Sequence, residues 1–150
     1  MPAKMNHYDA ALRVCVDSLE AGSIRGRVVS RRLTAPITFG DLGDLLLQVE
    51  EVLNRQNFPQ AFERTRSFVK NPDEPLPVAA DLDSGMTKEE VEACRGEAAT
   101  FSLYVITRRS TTWQGFVEWP DGTRQEYVSV LELIKLVDSA LTPKKGKEGQ

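Results

Sequence analysis

Residues Phe39–Asn54 read FGDLGDLLLQVEEVLN, and residues Tyr127–Thr142 read YVSVLELIKLVDSALT. Laid one above the other without a gap, the two stretches decide the fold. Apolar side chains fall at Leu42, Leu45, Leu46, Val49, Val52 and Leu53 in the first. They fall at Val130, Leu133, Ile134, Val137, Ala140 and Leu141 in the second. Both sets step i, i+3, i+4, i+7, i+10, i+11, the stripe of an amphipathic helix with one buried face. The starts correspond as well. Asp41 with Asp44 stands where the second stretch has Ser129 with Glu132. Ser129 and Glu132 read as a capping box, the carboxylate reaching back to the cap N–H. Asp41 caps likewise, and the shorter Asp44 is expected to act only on the helix dipole. Leu131 and Leu136 flank the second stripe where the first helix has Gly43 and Gln48, so the second helix is expected to be buried more widely.

Upstream the correspondence continues from Arg13 beside Ser102. Ile24 falls on Trp113, Gly26 on Gly115 and Val28 on Val117. Leu12, Val14 and Val16 alternate, as do Phe101, Leu103 and Val105, which predicts a strand in each copy. Further strands are predicted over 23–30 and 112–119. Pro120-Asp-Gly-Thr123 is a turn signal that leads into a strand over Arg124–Val128, and Pro36–Phe39 plays that part in the first copy. The chain therefore reads as an α+β protein, a single domain over 1–150, built from duplicated β-β-β-α units. Unit one spans 10–54 and unit two 100–142. The two units are expected to form one antiparallel sheet with both helices side by side on one face. Residues 55–99 form a connector, with a packed segment around Phe58–Phe62 and Arg64–Phe68 and a short helix opening at Thr87. The basic tail 143–150 is expected to be disordered. Trp113, Gly115, Val117 and Trp119 share strand parity, so both tryptophans are expected to face the helices as core. Gly26 and Gly115 are expected to leave room for a helix or a bend.

Composition narrows the function. The net charge is −3, with thirteen acidic and six basic side chains in residues 33–99. That balance argues against a globally basic nucleic-acid binder. No apolar run approaches a membrane span and the start lacks the apolar segment of a secretory signal, so the expectation is a cytoplasmic protein with no membrane partner. Cys15 and Cys94 are too few for a disulfide scaffold and are not spaced as metal ligands; they read as reduced structural thiols. His7 is the single histidine, which removes triads and paired-histidine metal sites. There is no Walker-type phosphate loop. Gly22–Gly26 reads as a hairpin leading into a strand, and Asp81-Leu-Asp83 as a turn. No catalytic, cofactor-binding or metal-binding residue is assigned, and a non-enzyme is expected.

What remains is the sheet face turned away from the helices. Opposite parity to Trp113 gives Gln114, Phe116 and Glu118; opposite parity to Leu103 gives Tyr104, Ile106 and Arg108. The first copy adds Arg13, Cys15, Arg25, Arg27 and Val29. Tyr104, Phe116, Arg25, Arg27, Arg108 and Gln114 are the candidate partner-binding residues. Aromatic and arginine side chains are enriched at protein-binding hot spots, and the same mixture stacks bases in single-strand binders. A protein partner is favoured, with single-stranded nucleic acid as the alternative. The connector, or a second subunit in a homodimer, would instead cover this face.

Trp113-Gln-Gly115 followed by Ser129–Leu141 (SVLELIKLVDSAL) resembles a family of small uncharacterised bacterial proteins. In that family a strand with Phe-Arg-Gln-Asn precedes the Trp-Gln-Gly, and a Leu-rich helix ends Asp-Ser-Ala-Leu. Here Thr107–Thr112 (TRRSTT) departs from the polar motif, while Phe39–Asn54 and Arg64–Phe68 match more loosely. The resemblance implies no activity and transfers no catalytic residue. Such relatives resemble passengers of mobile elements, which implies dedicated inhibitors or regulators, including proteins that block CRISPR effectors. Asp73, Glu74, Asp81, Asp83, Glu89, Glu90, Glu92 and Glu97 would then meet a basic nucleic-acid channel by charge complementarity.

Overall fold

The alternating apolar residues become strands because a buried β face takes every second side chain. In the computed structural model, which describes residues 7, 9–19, 24–56, 58–59, 76–80, 82–109 and 112–141, the elements follow in the order β-β-β-α, α, β-β-β-α. They are β1 (Leu12–Ser18), β2 (Arg25–Val29), β3 (Ile37–Phe39), α1 (Leu42–Gln56), α2 (Lys88–Ala93), β4 (Ala99–Thr107), β5 (Gln114–Glu118), β6 (Arg124–Tyr127) and α3 (Val130–Leu141). The six strands form one antiparallel sheet in the order β3-β2-β1-β4-β5-β6. The protein is α+β, as the periodicity predicts. The expected segment Phe62–Phe68, the turn at Gly22 and Ser23, Asp73, Glu74, Asp81 and the tail 143–150 lie outside the described residues.

The register of the two outer thirds corresponds position by position. Val16 faces Gly26 and Ser18 faces Arg25, with a bulge between Val16 and Ser18. Val105 faces Gly115 and Thr107 faces Gln114, with a bulge between Val105 and Thr107. Gly26 then faces Phe39, as Gly115 faces Tyr127. The two runs meet at the β1–β4 seam, where Leu12 faces Leu103 and Val14 faces Phe101.

One core joins the inward side chains Leu12, Val14, Val16, Val28, Phe101, Leu103, Val105 and Val117 to Leu45, Val49, Val52 and Leu53 of α1 and Leu133 and Val137 of α3. Each helix lies closest to the third strand of its own run, α1 to β3 and α3 to β6. Trp113 is fully inside this core, and Trp119 closes its edge against Phe101 at 5.1 Å. Of the two needs expected of the strand glycines, a helix or a bend, the helix is not the one met. A Cβ on Gly26 would lie 1.9 Å from the Cys15 carbonyl oxygen, and one on Gly115 would lie 2.0 Å from that of Tyr104. The neighbouring strand, not a helix, takes the space, and in each copy its bulge follows directly after the residue paired with the glycine.

The helix starts refine the capping expectation. Asp41 and Ser129 accept the N–H of Asp44 at 2.7 Å and of Glu132 at 3.1 Å. The acids reach one residue further back than a capping box requires. Glu132 accepts from Val128 N–H at 2.9 Å, and Asp44, expected to act only on the dipole, accepts from Gly40 N–H at 3.0 Å. Thr87 and Glu90 form the full reciprocal box that starts α2. Among the described residues the wider burial expected for α3 is not met within the chain: Leu131 is 61% exposed and Leu136 is half-buried.

Candidate partner-binding face

On the face opposite the helices, Arg13, Cys15 and Asp17 project from β1, Arg27 from β2 and Thr100 from β4, because the registers set Cys15 against Arg27 and Thr100. Main chain leaving α2 runs back across this group. Arg13 Nε donates to the Cys94 carbonyl at 2.7 Å, and an Arg27 amino group donates to that of Arg95 at 3.0 Å. Gly96 N–H donates to Thr100 Oγ1 at 2.9 Å, and Glu97 N–H to Asp17 Oδ1 at 3.2 Å. Arg27 also pairs with Asp17 at 3.1 Å, which holds the Asp17 carboxyl below its usual range and the guanidinium above its own. The connector therefore covers the part of the face around Cys15, which is fully buried beneath it; Val29 is fully buried as well.

The β4–β6 part keeps an aromatic and charged surface. Antiparallel pairing sets Tyr104 against Phe116 and Phe116 against Glu126, while Ser102 faces Glu118 and Glu118 faces Arg124. Cross-strand neighbours of this kind come within reach of one another. Tyr104 and Phe116 stack with centroids 4.3 Å apart and planes 18° apart. On the other side of Phe116 the Arg124 guanidinium carbon sits 4.7 Å from the ring centroid. Glu118 completes the arrangement, accepting a 3.4 Å bond from the Tyr104 hydroxyl and pairing with Arg124 at 3.4 Å. Both partners of the Phe116 ring are thereby held by Glu118, although Phe116 itself remains partly exposed. A groove of about 470 Å³, lined by Arg13, Arg95, Thr100, Ser102, Glu118 and Trp119 among others, runs between this cluster and the connector.

Of the six residues picked from sequence, Tyr104 and Phe116 come together. Arg27 shares their face but is bound into the connector, and Arg25 is exposed at the far end of β2. Gln114 holds the β4–β5 turn: its Oε1 accepts from Thr107 Oγ1 at 2.7 Å and Arg109 N–H at 2.9 Å, and its Nε2 donates to Arg109 and Val128 carbonyls. Arg108 is a correction. The bulge between Val105 and Thr107 adds a residue on β4, so parity beyond it inverts and Arg108 turns to the helix side. There it is 6% exposed and donates to the Pro59 carbonyl at 2.7 Å, to Asn54 Oδ1 at 2.6 Å and to the Leu53 carbonyl at 3.4 Å. Burial pushes its guanidinium down from the usual value. Arg124 is the functional candidate that period-two reading missed. Its signal is the tight turn at Pro120–Thr123, closed by Gly122 N–H to Trp119 O at 2.9 Å and Trp119 N–H to Thr123 O at 2.8 Å. That closure fixes Arg124 opposite Glu118.

Among the described residues no group of three or more His, Cys, Asp and Glu side chains is placed to hold a metal ion, and no helix is long and apolar enough to cross a membrane. The fold and the cluster define an α+β sheet protein with one face packed by helices and the other partly covered by its own connector. No protein-family model, curated protein or solved structure matches the chain.

Proposed function

We propose that this chain is a non-enzymatic binding protein, a small inhibitor or regulator that acts by protein–protein contact through the β4–β6 part of its second sheet face. The observation that carries the reading is the Tyr104–Phe116–Arg124 stack. It is an aromatic pair with an arginine already in contact before a partner arrives, and preorganised side chains lose less entropy on binding. Glu118 and Glu126 flank Phe116, so the same surface would repel a phosphate backbone. That favours a protein over the single-stranded nucleic acid that an aromatic and arginine face also suggests. The acidic surface of α2 and its flanks, with Asp83, Glu89, Glu90, Glu92 and Glu97, would add long-range attraction to a basic partner.

The reading includes an internal duplication of a β-β-β-α unit. It is supported by the matched bulges after Val16 and Val105, by the Gly26–Phe39 and Gly115–Tyr127 pairs, and by the matched reach of Asp44 and Glu132 to the residue before each cap. After duplication only one copy would carry the binding cluster, because Arg27 stands where the second copy has Phe116.

The test is a pull-down with and without nuclease, followed by affinity measurement on the purified partner with wild type and with Phe116→Ala and Arg124→Ala. The expected result is a stoichiometric protein partner that survives nuclease, bound at least about tenfold more weakly by each variant, the size of a hot-spot loss. Circular dichroism of each variant checks that it is folded. Unchanged affinity in folded variants would dismiss this face. Nucleic acid that co-purifies, with affinity falling steeply as salt rises, would put the single-strand reading first.

A further inference from the structure

The two cysteines lie far apart in the chain, yet the connector fastens the Cys94 main chain to Arg13, which stands two residues from Cys15 on the same face of β1. Cys15 projects from the middle of β1 on that face. Its nearest side-chain neighbours there are Arg13 and Asp17 on its own strand, Arg27 on β2 and Thr100 on β4. Directly paired residues in antiparallel strands have Cβ atoms about 5 Å apart. Each of these four residues hydrogen-bonds to main chain between Cys94 and Glu97: Arg13 to Cys94, Arg27 to Arg95, Thr100 to Gly96 and Asp17 to Glu97. The segment 94–97 is thus fastened on all sides of Cys15 and roofs it. Close approach confirms the seating, since a Cβ on Gly96 would lie 2.3 Å from the Val16 backbone nitrogen. Cys15 is 0% exposed under this roof, whereas Cys94, at its end, is half-buried and reachable.

The geometry points to Cys15 and Cys94 as a thiol–disulfide exchange site, which takes a low-molecular-weight disulfide such as oxidised glutathione and closes into an intramolecular disulfide. The Cys94 thiolate attacks one sulfur of the small disulfide, whose S–S bond breaks and releases one thiolate that takes up a proton. Cys15, as thiolate, then attacks the Cys94 sulfur; the Cys15–Cys94 bond forms, the mixed disulfide breaks and the second small thiol leaves. The two protein thiols lose two electrons and two protons, and the small disulfide is reduced to two thiols. The order follows from access. Burial pushes the Cys15 thiol up, Arg27 draws it partly back, the nearby Cys94 pushes it up again and Arg13 draws it down. The half-buried Cys94, the more accessible of the two, therefore reacts first and the roofed Cys15 resolves. Closure would lock segment 94–97 over β1, beside the groove lined by Arg95, Gly96 and Glu118.

The reduced full chain is equilibrated with mixtures of reduced and oxidised glutathione, natively and in urea, then acid-quenched, alkylated and mapped without reduction. The expected native product is a Cys15–Cys94 cross-linked peptide, with both alkylatable thiols lost together. Its equilibrium constant should be at least about tenfold larger in the native protein than in urea, because folding raises the effective concentration of one thiol at the other. Cys15→Ser should instead stop at a glutathione adduct on Cys94. A native wild type that leaves Cys94 as a persistent adduct with Cys15 still a thiol overturns the proposal. So does a cross-link no more favourable natively than in urea, or no reaction at either cysteine. The wild-type comparison stands whether or not Cys15→Ser folds.

Discussion

Tyr127 shows how much one side chain can hold together. It is buried, its hydroxyl donates to the Tyr104 carbonyl at 2.7 Å, and that same oxygen occupies the space a Cβ on Gly115 would need. It therefore ties the edge strand β6, across the glycine on β5, to β4 beneath the aromatic cluster. Tyr127→Phe should cost about 1 kcal/mol, the net worth of one hydrogen bond, read as a lower urea midpoint with an unchanged slope. Burial also pushes the phenol far above its usual 10.0. The unfolded phenol ionises near that value while the folded one keeps its proton, so its contribution is complete below about pH 10 and is lost as pH rises further, by up to about 1.4 kcal/mol per unit. Arg32, whose guanidinium burial pushes down to about 10, tilts the profile the other way. Subtracting the Tyr127→Phe profile from that of wild type cancels Arg32 and isolates the tyrosine. A difference that stays flat above pH 10 would mean the phenol is not held in its neutral form.

Strands, helices and their bounds were legible because their signals are periodic. Apolar residues at Leu12, Val14 and Val16 specify a face, and the paired stripes of α1 and α3 specify two helices over one core. The bulges were not legible, since an inserted residue such as Ile106 leaves every side chain polar or apolar as before and alters only which way the next one points. Period-two parity accordingly puts Arg108 on the open face. Its three carbonyl and amide acceptors instead sit where α1 ends and the chain continues through Pro59, at the carbonyl-rich end of the helix. Arg32 stands nearby at 1% exposure, donating to Ala10, Gln56 and Phe58. Two cations thus anchor one helix terminus. Arg108→Met fits a buried site by volume but leaves those acceptors unpaired. It should lower stability by about 2 kcal/mol while leaving partner affinity unchanged in the folded fraction, the reverse of the Phe116→Ala pattern. A selective loss of binding with no change in urea midpoint would return Arg108 to the interface.

How the two runs join was beyond the periodic signals, because nothing in the pattern of Leu12 or Leu103 says that these strands pair with each other. The antiparallel β1–β4 seam makes them the centre of a single sheet, with Leu12 against Leu103 and Val14 against Phe101. All four side chains are buried in the core shared by α1 and α3. Neither run can bury its inner seam strand without the other, so the molecule should unfold in one step. The distribution of chromophores provides the means to check it. Both tryptophans, Trp113 and Trp119, belong to the second run, so fluorescence follows that run while far-ultraviolet circular dichroism follows the helices and strands of both. In wild type the two urea curves should superimpose. Leu103→Ala, which opens a cavity at the seam, should shift both together by about 2–5 kcal/mol. If fluorescence moved while part of the circular dichroism signal kept its original midpoint, the first run would be stable by itself. The seam would then be a contact between two small domains and not the middle of one.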